Sequence, residues 1–251
     1  MLNVPDNRYN YLMEIKNYKK EFIYSYSLGA FPTIELIKHK KEYIIDIYIH
    51  SSFKNEEVLS FIKENINKDK IKYNDKLINK LSPKENCFVI GIFNKYDTNL
   101  DKNKNHILLD NPANMGNLGT IIRSSLGFDI LNLAIIKPGV DIFDPKVIRA
   151  SMEAIFSINF KYFSSLEEYK SAYKEHEINA FMLQTNNTLD SFKFTNNLHT
   201  LTFGNEATGL DKKYLDNNSI IIKHSKNIDS LNITNAVSIA LYEFRKQIKN
   251  N

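Results

Sequence analysis

The sequence predicts an α/β fold built on a mostly parallel sheet, and three observations carry that reading. Short apolar runs of strand length alternate with stretches of helical periodicity along the chain. The run Ile107 to Leu109 is apolar throughout, as a buried strand requires. Three of the runs from residue 106 onward are followed by turns rich in glycine, asparagine and serine, the usual composition at the carboxyl ends of strands in such a sheet.

In chain order, residues 8 to 20 read as a helix and Thr33 to Lys41 as another, capped at Pro32 and Thr33. Tyr43 to Ile49 reads as a strand, Glu56 to Ile66 as a helix with Val58, Leu59 and Ile62 on one face, Asp75 to Leu81 as a short helix, and Cys87 to Phe93 as a buried strand. The polar segment Asn94 to Asn105 has no apolar periodicity and reads as a linker. This divides the chain into an N-terminal domain (1–97), a linker (98–105) and a C-terminal domain (106–251). In the second part a helix begins at Leu118 and stops at Gly127, preceded by a turn holding Gly116 and Asn117. Leu131 to Ile136 is a strand, and Asp144 with Pro145 caps a helix running to about Ala154. There follow a strand at Ile158 to Tyr162, a helix from Leu166 to Glu175, strands at Asn179 to Leu183, His199 to Phe203 and Ser219 to Lys223, and a long final helix.

Length and composition bound the function. The 251 residues, 43% hydrophobic, suit one large or two ordinary domains. There is no signal-peptide pattern and no run long enough to span a membrane, so a soluble cytoplasmic protein is expected. The single cysteine, Cys87, allows no internal disulfide. Net charge is +4, compatible with a polyanion partner but not diagnostic of one. No zinc-type His and Cys spacing, Walker sequence or G-x-G-x-x-G motif is present, so neither metal nor nicotinamide chemistry is supported. Arginine is rare, at positions 8, 123, 149 and 245 against 29 lysines, and Arg123 lies early in a helix where the macrodipole disfavours a cation. The ordinary alternative for it is a solvated helix residue.

Three turns gather the polar residues least easily explained as structure. Asn117 and Arg123 follow the first strand of the C-terminal half; Glu206 lies between Gly204 and Gly209 after Phe203; Ser230, Leu231 and Asn232 lie where the last helix begins. Taken singly, Glu206 reads as a surface turn residue and Asp229 or Ser230 as a helix cap. Taken together, polar groups on permissive backbone after three strands of one sheet describe a site.

Three stretches, GNLGTIIR (Gly116 to Arg123), FGNEATGL (Phe203 to Leu210) and DSLNITNAVSIALYE (Asp229 to Glu243), resemble in order the motifs of the SpoU, or TrmH-like, family of RNA ribose methyltransferases in the SPOUT superfamily. The resemblance spans about residues 106 to 248. It implies a C-terminal α/β domain tied in a deep trefoil knot, a smaller α/β N-terminal domain similar to an RNA-binding ribosomal protein, and a homodimer. It implies methyl transfer from S-adenosylmethionine to a ribose 2′-hydroxyl of structured RNA, ribosomal in preference to transfer RNA. By motif position it assigns Asn117, Arg123, Glu206, Ser230 and Asn232 to catalysis, with Arg123 orienting the hydroxyl and Glu206 orienting Arg123. Phe203, Gly204, Asn205, Ile222 and Leu231 would hold the cofactor, and Lys146 and Arg149 would meet RNA phosphate. Two departures stand out: Ile222, Lys223 and His224 replace the family's Ile-Pro-Met, and Glu153 stands where a glycine is expected. The competing reading is a catalytically silent RNA-binding or ribosome-assembly module of the same fold. A further alternative, an α/β enzyme for some other small ligand, lacks any phosphate-loop or dinucleotide pattern.

Overall fold

The computed structural model describes residues 15–82, 86–195 and 197–249, and these form two sheets. The first contains β1 (Tyr24–Leu28), β2 (Ile44–Ile49), β3 (Ile71–Tyr73) and β4 (Val89–Asn94), in the order β1-β4-β2-β3. β4 runs antiparallel to both neighbours, while β2 and β3 are parallel. Between them lie α1 (Ala30–Lys40), α2 (Glu56–Asn65) and α3 (Asp75–Leu81). The Asn55 and Asn74 side chains accept from Val58 and Leu77 amides, which satisfies orphan donors at the starts of α2 and α3.

The second sheet is wholly parallel: β5 (His106–Asp110), β6 (Asn132–Ile136), β7 (Asn159–Phe163), β8 (His176–Ala180) and β9 (Leu198–Phe203), in the order β7-β6-β5-β9-β8. Its helices are α4 (Met115–Gly127), α5 (Pro145–Ala150), α6 (Leu166–Ala172) and α7 (Ile233–Lys249). Central β5 is buried at His106 through Leu109, the apolar filling expected of a strand covered on both faces. The chain builds β6 and β7 on one side of β5, then returns to lay β9 and β8 on the other. The β5/β9 seam is therefore a topological switch point, where ligands bind beyond the carboxyl ends of strands.

Several elements differ from the sequence reading. Of the expected helix at 8 to 20, residues 15–20 are irregular and residues 8–14 lie outside the described residues. α1 begins three residues early, with Gly29 before it and the Thr33 hydroxyl donating to the Gly29 carbonyl. β1 falls in a stretch to which the sequence reading assigns no element. Both Ser25 and Ser27 are buried, with Ser25 donating to the Phe143 carbonyl at 2.6 Å and Ser27 sharing a bond with Thr33. α4 starts at Met115 under an Asn114 cap, so Gly116 and Asn117 belong to its first turn and not to the preceding loop. α5 ends at Ala150, since Met152 and Glu153 turn left-handed and the chain resumes as a short 3-10 segment at Ala154–Ser157. The expected strand at Ser219 to Lys223 is reduced to two bridges, Ile220 to Phe181 and Ile221 to Thr188. Here the chain is hydrogen-bonded on both sides: Ile220 donates to Ala180 and accepts from Met182, while Ile221 donates to Asn187 and accepts from Leu189.

The segment read as a linker has no regular element after β4, yet it is fastened down. Tyr96 and Leu100 are buried, the Thr98 hydroxyl donates to the Phe160 carbonyl at 2.6 Å, and the Asp101 amide donates to Asn132 at 2.9 Å. Phe93 of the first sheet meets Phe143 and Phe156 edge-on at 6.0 and 5.5 Å, so one apolar core runs between the halves. Lys95 pairs with Asp141 at 2.8 Å and Tyr18 donates to the same carboxylate.

At the amino ends of the parallel strands, His106, His176 and His199 are buried together with Tyr169 and Thr200. His106 Nε2 lies 2.9 Å from the Asp101 carbonyl and donates to it, which leaves Nδ1 to accept from the Tyr169 hydroxyl at 2.7 Å. Burial, reinforced by His176 and opposed by the Asp101 carbonyl, holds His106 down to about 4 from an ordinary 6.5. Below pH 6.5 the unfolded chain therefore takes up protons that the folded chain refuses, so stability present above that pH is lost as it falls toward 4. The loss from His106 alone should reach about 3 kcal/mol. Melting temperature recorded from pH 7 down to 5 should decline, and H106Q should show a shallower decline; identical slopes would remove His106 from this role.

Candidate functional site

The turns after β5 and β9 are neighbours because Leu109 and Phe203 are in register on adjacent parallel strands. Their side chains lock them together. Asn205 Nδ2 donates to the Asn111 carbonyl at 2.8 Å, and Asn205 Oδ1 accepts from the Ala207 amide at the same distance. The Glu206 carboxylate accepts from the Ala113 amide at 3.0 Å, the Asn114 amide at 3.1 Å and Asn117 Nδ2 at 3.1 Å. Two of these donors are backbone groups at the start of α4, where the helix dipole also favours an anion. Burial by itself would raise the Glu206 pKa; the hydrogen bonds from Ala113, Asn117 and Asn114 outweigh it and hold the group below the usual carboxylate value.

Glycine is required at two points of this loop. A Cβ on Gly204 would lie 2.2 Å from the Gly209 carbonyl carbon, so the backbone folds directly onto itself there. Gly209 has φ +69°, and its amide donates to the Asn205 carbonyl at 2.9 Å.

The third turn closes the site. The cap of α7 is Asn232, not Asp229 or Ser230: Asn232 Oδ1 accepts from the Thr234 amide at 2.8 Å and from its hydroxyl at 2.7 Å. Ser230 is exposed, and both it and Asn232 border an open cavity of about 560 Å³ beyond β8 and β9. Phe181 and Phe203, stacked at 4.6 Å, form an apolar wall with Ile222, Leu231, Ile233 and Ala236. Gly204, Asn205, Glu206 and Thr208 supply the polar rim. The volume lies within the range usual for small-molecule sites, and an apolar floor with a few polar groups is their usual lining.

All five residues assigned to cofactor binding, Phe203, Gly204, Asn205, Ile222 and Leu231, line this cavity, as do Glu206, Ser230 and Asn232. Asn117 reaches it through Glu206. Arg123 does not line it. It lies on an exposed part of α4, six residues beyond Asn117, or about 9 Å along the axis, with no hydrogen bond or ion pair among the described residues. The expected Glu206–Arg123 bond is absent because Glu206 is committed to Asn117 and the helix amides. Lys146 and Arg149 are exposed on α5, one turn apart and away from the cavity. Phe181, Thr208 and Ile233 were not anticipated; only the apolar run into Phe181 hinted at the first. Among the described residues, no group of three or more acidic, His or Cys side chains is placed to hold a metal, and no helix is long and apolar enough to cross a membrane.

A family model described as the SpoU rRNA methylase family matches residues 104–242, more than half of the chain. The chain belongs to the SpoU rRNA methylase family. This is a family of S-adenosylmethionine-dependent RNA methyltransferases. A Mycoplasma genitalium relative, provisionally named a tRNA (cytidine(34)-2′-O)-methyltransferase, is 33% identical over 150 residues, which cover 57% of this chain and 90% of the relative. The 23S rRNA (uridine(2479)-2′-O)-methyltransferase of Streptomyces viridochromogenes is 29% identical over 149 residues, covering 56% of this chain and 52% of the relative. Among solved structures, the SpoU methyltransferase AviRb of Streptomyces viridochromogenes matches with a TM-score of 0.78 at 20% identity, covering 91% of each chain. A structure of that protein in complex with AdoMet gives a TM-score of 0.75. The likeness in fold to that structure, at 91% of each chain, is thus not confined to the residues matched by the family model.

Removing the carboxylate that joins the first two turns should loosen the start of α4. E206A should lose about 1–2 kcal/mol in urea unfolding, the usual cost of deleting a helix cap. An unchanged midpoint would show that water replaces it without cost.

Proposed function

We propose that this chain methylates a ribose 2′-hydroxyl of structured RNA with S-adenosylmethionine as donor. The observation that supports this most is the convergence of the second and third motifs, with Glu206 tying in the first, on one cavity at the sheet's switch point. The cavity suits the cofactor: Phe181, Phe203 and Ile222 offer apolar surface, and the backbone of the tight Gly204–Leu210 loop and the residues near Leu231 offer polar groups. When bound, S-adenosylmethionine supplies a sulfonium methyl already activated for displacement. The protein's task is alignment of the hydroxyl and management of its proton. Asn117, held by Glu206, positions substrate; Ser230 and Asn232 support the reacting groups. Arg123, the planar donor best suited to a hydroxyl and an adjacent phosphate, orients the ribose. Lys146 and Arg149 contribute phosphate contacts on the same side of α5.

The position of Arg123 outside the cavity favours a homodimer in which a second copy completes the site. α7 leaves Ile239 and Tyr242 42% and 61% exposed, and Ser238 between them and the cavity bonds to Ser124, next to Arg123. An apolar strip beside an arginine that bonds to nothing among the described residues fits burial against another copy. The same position is the one observation that favours a silent RNA-binding module instead. A trefoil knot in residues 106–251 is supported by the passage of Ile220 and Ile221 between Ala180–Met182 and Asn187–Leu189. The proposed division at 98–105 agrees with the change from the first sheet to the second, although that segment is a packed strap.

Ribosomal RNA is the favoured substrate. The tRNA-named relative is matched over 90% of its length by only 57% of this chain, whereas the rRNA-named relative is matched over 52% and so has room for a further domain. An N-terminal sheet with its own helices supplies a second RNA-recognising surface. An RNA substrate also fits the cytoplasmic placement expected from the sequence.

Incubation with radiolabelled S-adenosylmethionine and total RNA, followed by mapping of the modified ribose, should place label on large-RNA fractions. R123A should lower transfer at least about 100-fold while leaving calorimetric cofactor affinity unchanged. Cofactor binding without transfer to any RNA would establish the silent module, and near-normal turnover of R123A would remove that residue from the chemistry.

A further inference from the structure

Glu153 combines two unfavourable features in one residue. Its backbone is left-handed, with φ +69° and ψ −1°, a conformation that strains a residue with a side chain. Its side chain is buried, with 5% of the residue exposed, and Oε2 has no hydrogen-bond partner among the described residues. A glycine would remove both costs, so what Glu153 faces becomes the question.

Its setting is fixed by α4 and α5. A Cβ on Gly119 would lie 2.5 Å from Ala150 Cβ, 2.6 Å from the Val147 carbonyl and 2.8 Å from the Ser151 amide, so the end of α5 rests on the backbone of α4. Arg123 is one helical turn beyond Gly119 on the same face. The charged groups that act on Glu153 are Arg123 from α4 and Glu35 from α1. Glu35 is itself paired with Lys38 at 2.8 Å and His39 at 3.4 Å. Burial chiefly, then Glu35, raises the Glu153 pKa to about 7, and Arg123 opposes them. The other acid expected to serve Arg123, Glu206, is already committed to α4's first turn.

We propose that Glu153 is a positioning residue for Arg123, its carboxylate fixing where the guanidinium rests once RNA or a second copy covers the exposed face of α4. In the free chain the exposed guanidinium is solvated and makes no bond to the buried carboxylate, so the two act on each other only at a distance; covering the seam strengthens that attraction and gives Arg123 one preferred direction. The activity arm of the test rests on the reading of Arg123 as the residue that orients the ribose, while the spectroscopic arm does not.

The full chain labelled with 15N-arginine offers four side-chain Nε–H signals, with Arg123 identified by its loss in R123K. The Arg123 signal should shift with a midpoint near pH 7, keep that shift in E153D, and lose it in E153Q. It should keep the shift in H39N, which separates Glu153 from the titratable His39 on Glu35. In RNA methylation, E153Q and E153G should lower kcat about tenfold without changing the KM for S-adenosylmethionine, E153D should restore most of it, and E153G should melt higher than the parent. An Arg123 signal that titrates equally in E153Q, or an E153G protein with parental kcat and a higher melting temperature, would overturn the proposal and leave Glu153 as core filling. A parent chain that transfers no methyl group defeats only the function proposed above, and the spectroscopic result still decides this one.

Discussion

The Glu206 carboxylate joins what the sequence keeps more than ninety residues apart. It accepts two backbone amides and one side-chain amide at the start of α4 while sitting on the loop that leaves β9. Parallel pairing of β5 with β9 brings the two loops side by side, but register alone does not fix their relative tilt. A charge-assisted clamp at a helix start does, because it satisfies orphan donors and the helix dipole together. The wall made by Phe203, the rim made by Asn205 and Glu206, and the direction of Asn117 all follow from that junction.

The electrostatics of the domain divide between the ends of its parallel strands. At the amino ends, buried imidazoles are kept neutral by desolvation and share hydrogen bonds with Tyr169 and Thr200. At the carboxyl ends, Glu206 is kept ionised by amides and Arg123 makes no hydrogen bond or ion pair among the described residues. The first arrangement excludes charge, and the second satisfies an ionised carboxylate with amides. Both rest on the same scaffold, since β5 begins at His106 and ends next to the loop that Glu206 grips.

Much of this was legible from residue patterns. Short apolar runs located β2, β4, β5, β6 and β9 to within a residue or two, and Asp144–Pro145 announced the start of α5. Phe203, Gly204, Asn205, Ile222 and Leu231, singled out by motif resemblance, all line one cavity. What could not be read was decided by tertiary partners. β1 has no counterpart in the sequence reading, and its buried Ser25 and Ser27 are satisfied by acceptors far along the chain. The segment after β4 looked like a free linker because its anchors, Phe160 and Asn132, are distant in sequence. The partner of Glu206 was misassigned because periodicity says where Arg123 lies on α4 but not that Asn117 and two amides would take the carboxylate first.

The short passage at Ile220 and Ile221 fastens two walls of the cavity together. Because the segment is bonded to Ala180 and Met182 on one flank and to Asn187 and Leu189 on the other, the walls from β8 and from the approach to α7 are buttoned to each other. They cannot swing apart as a clamshell does without breaking four backbone bonds at once. The exposed lip at Ala207 to Gly209 is the part of the cavity rim that those four bonds leave unfastened.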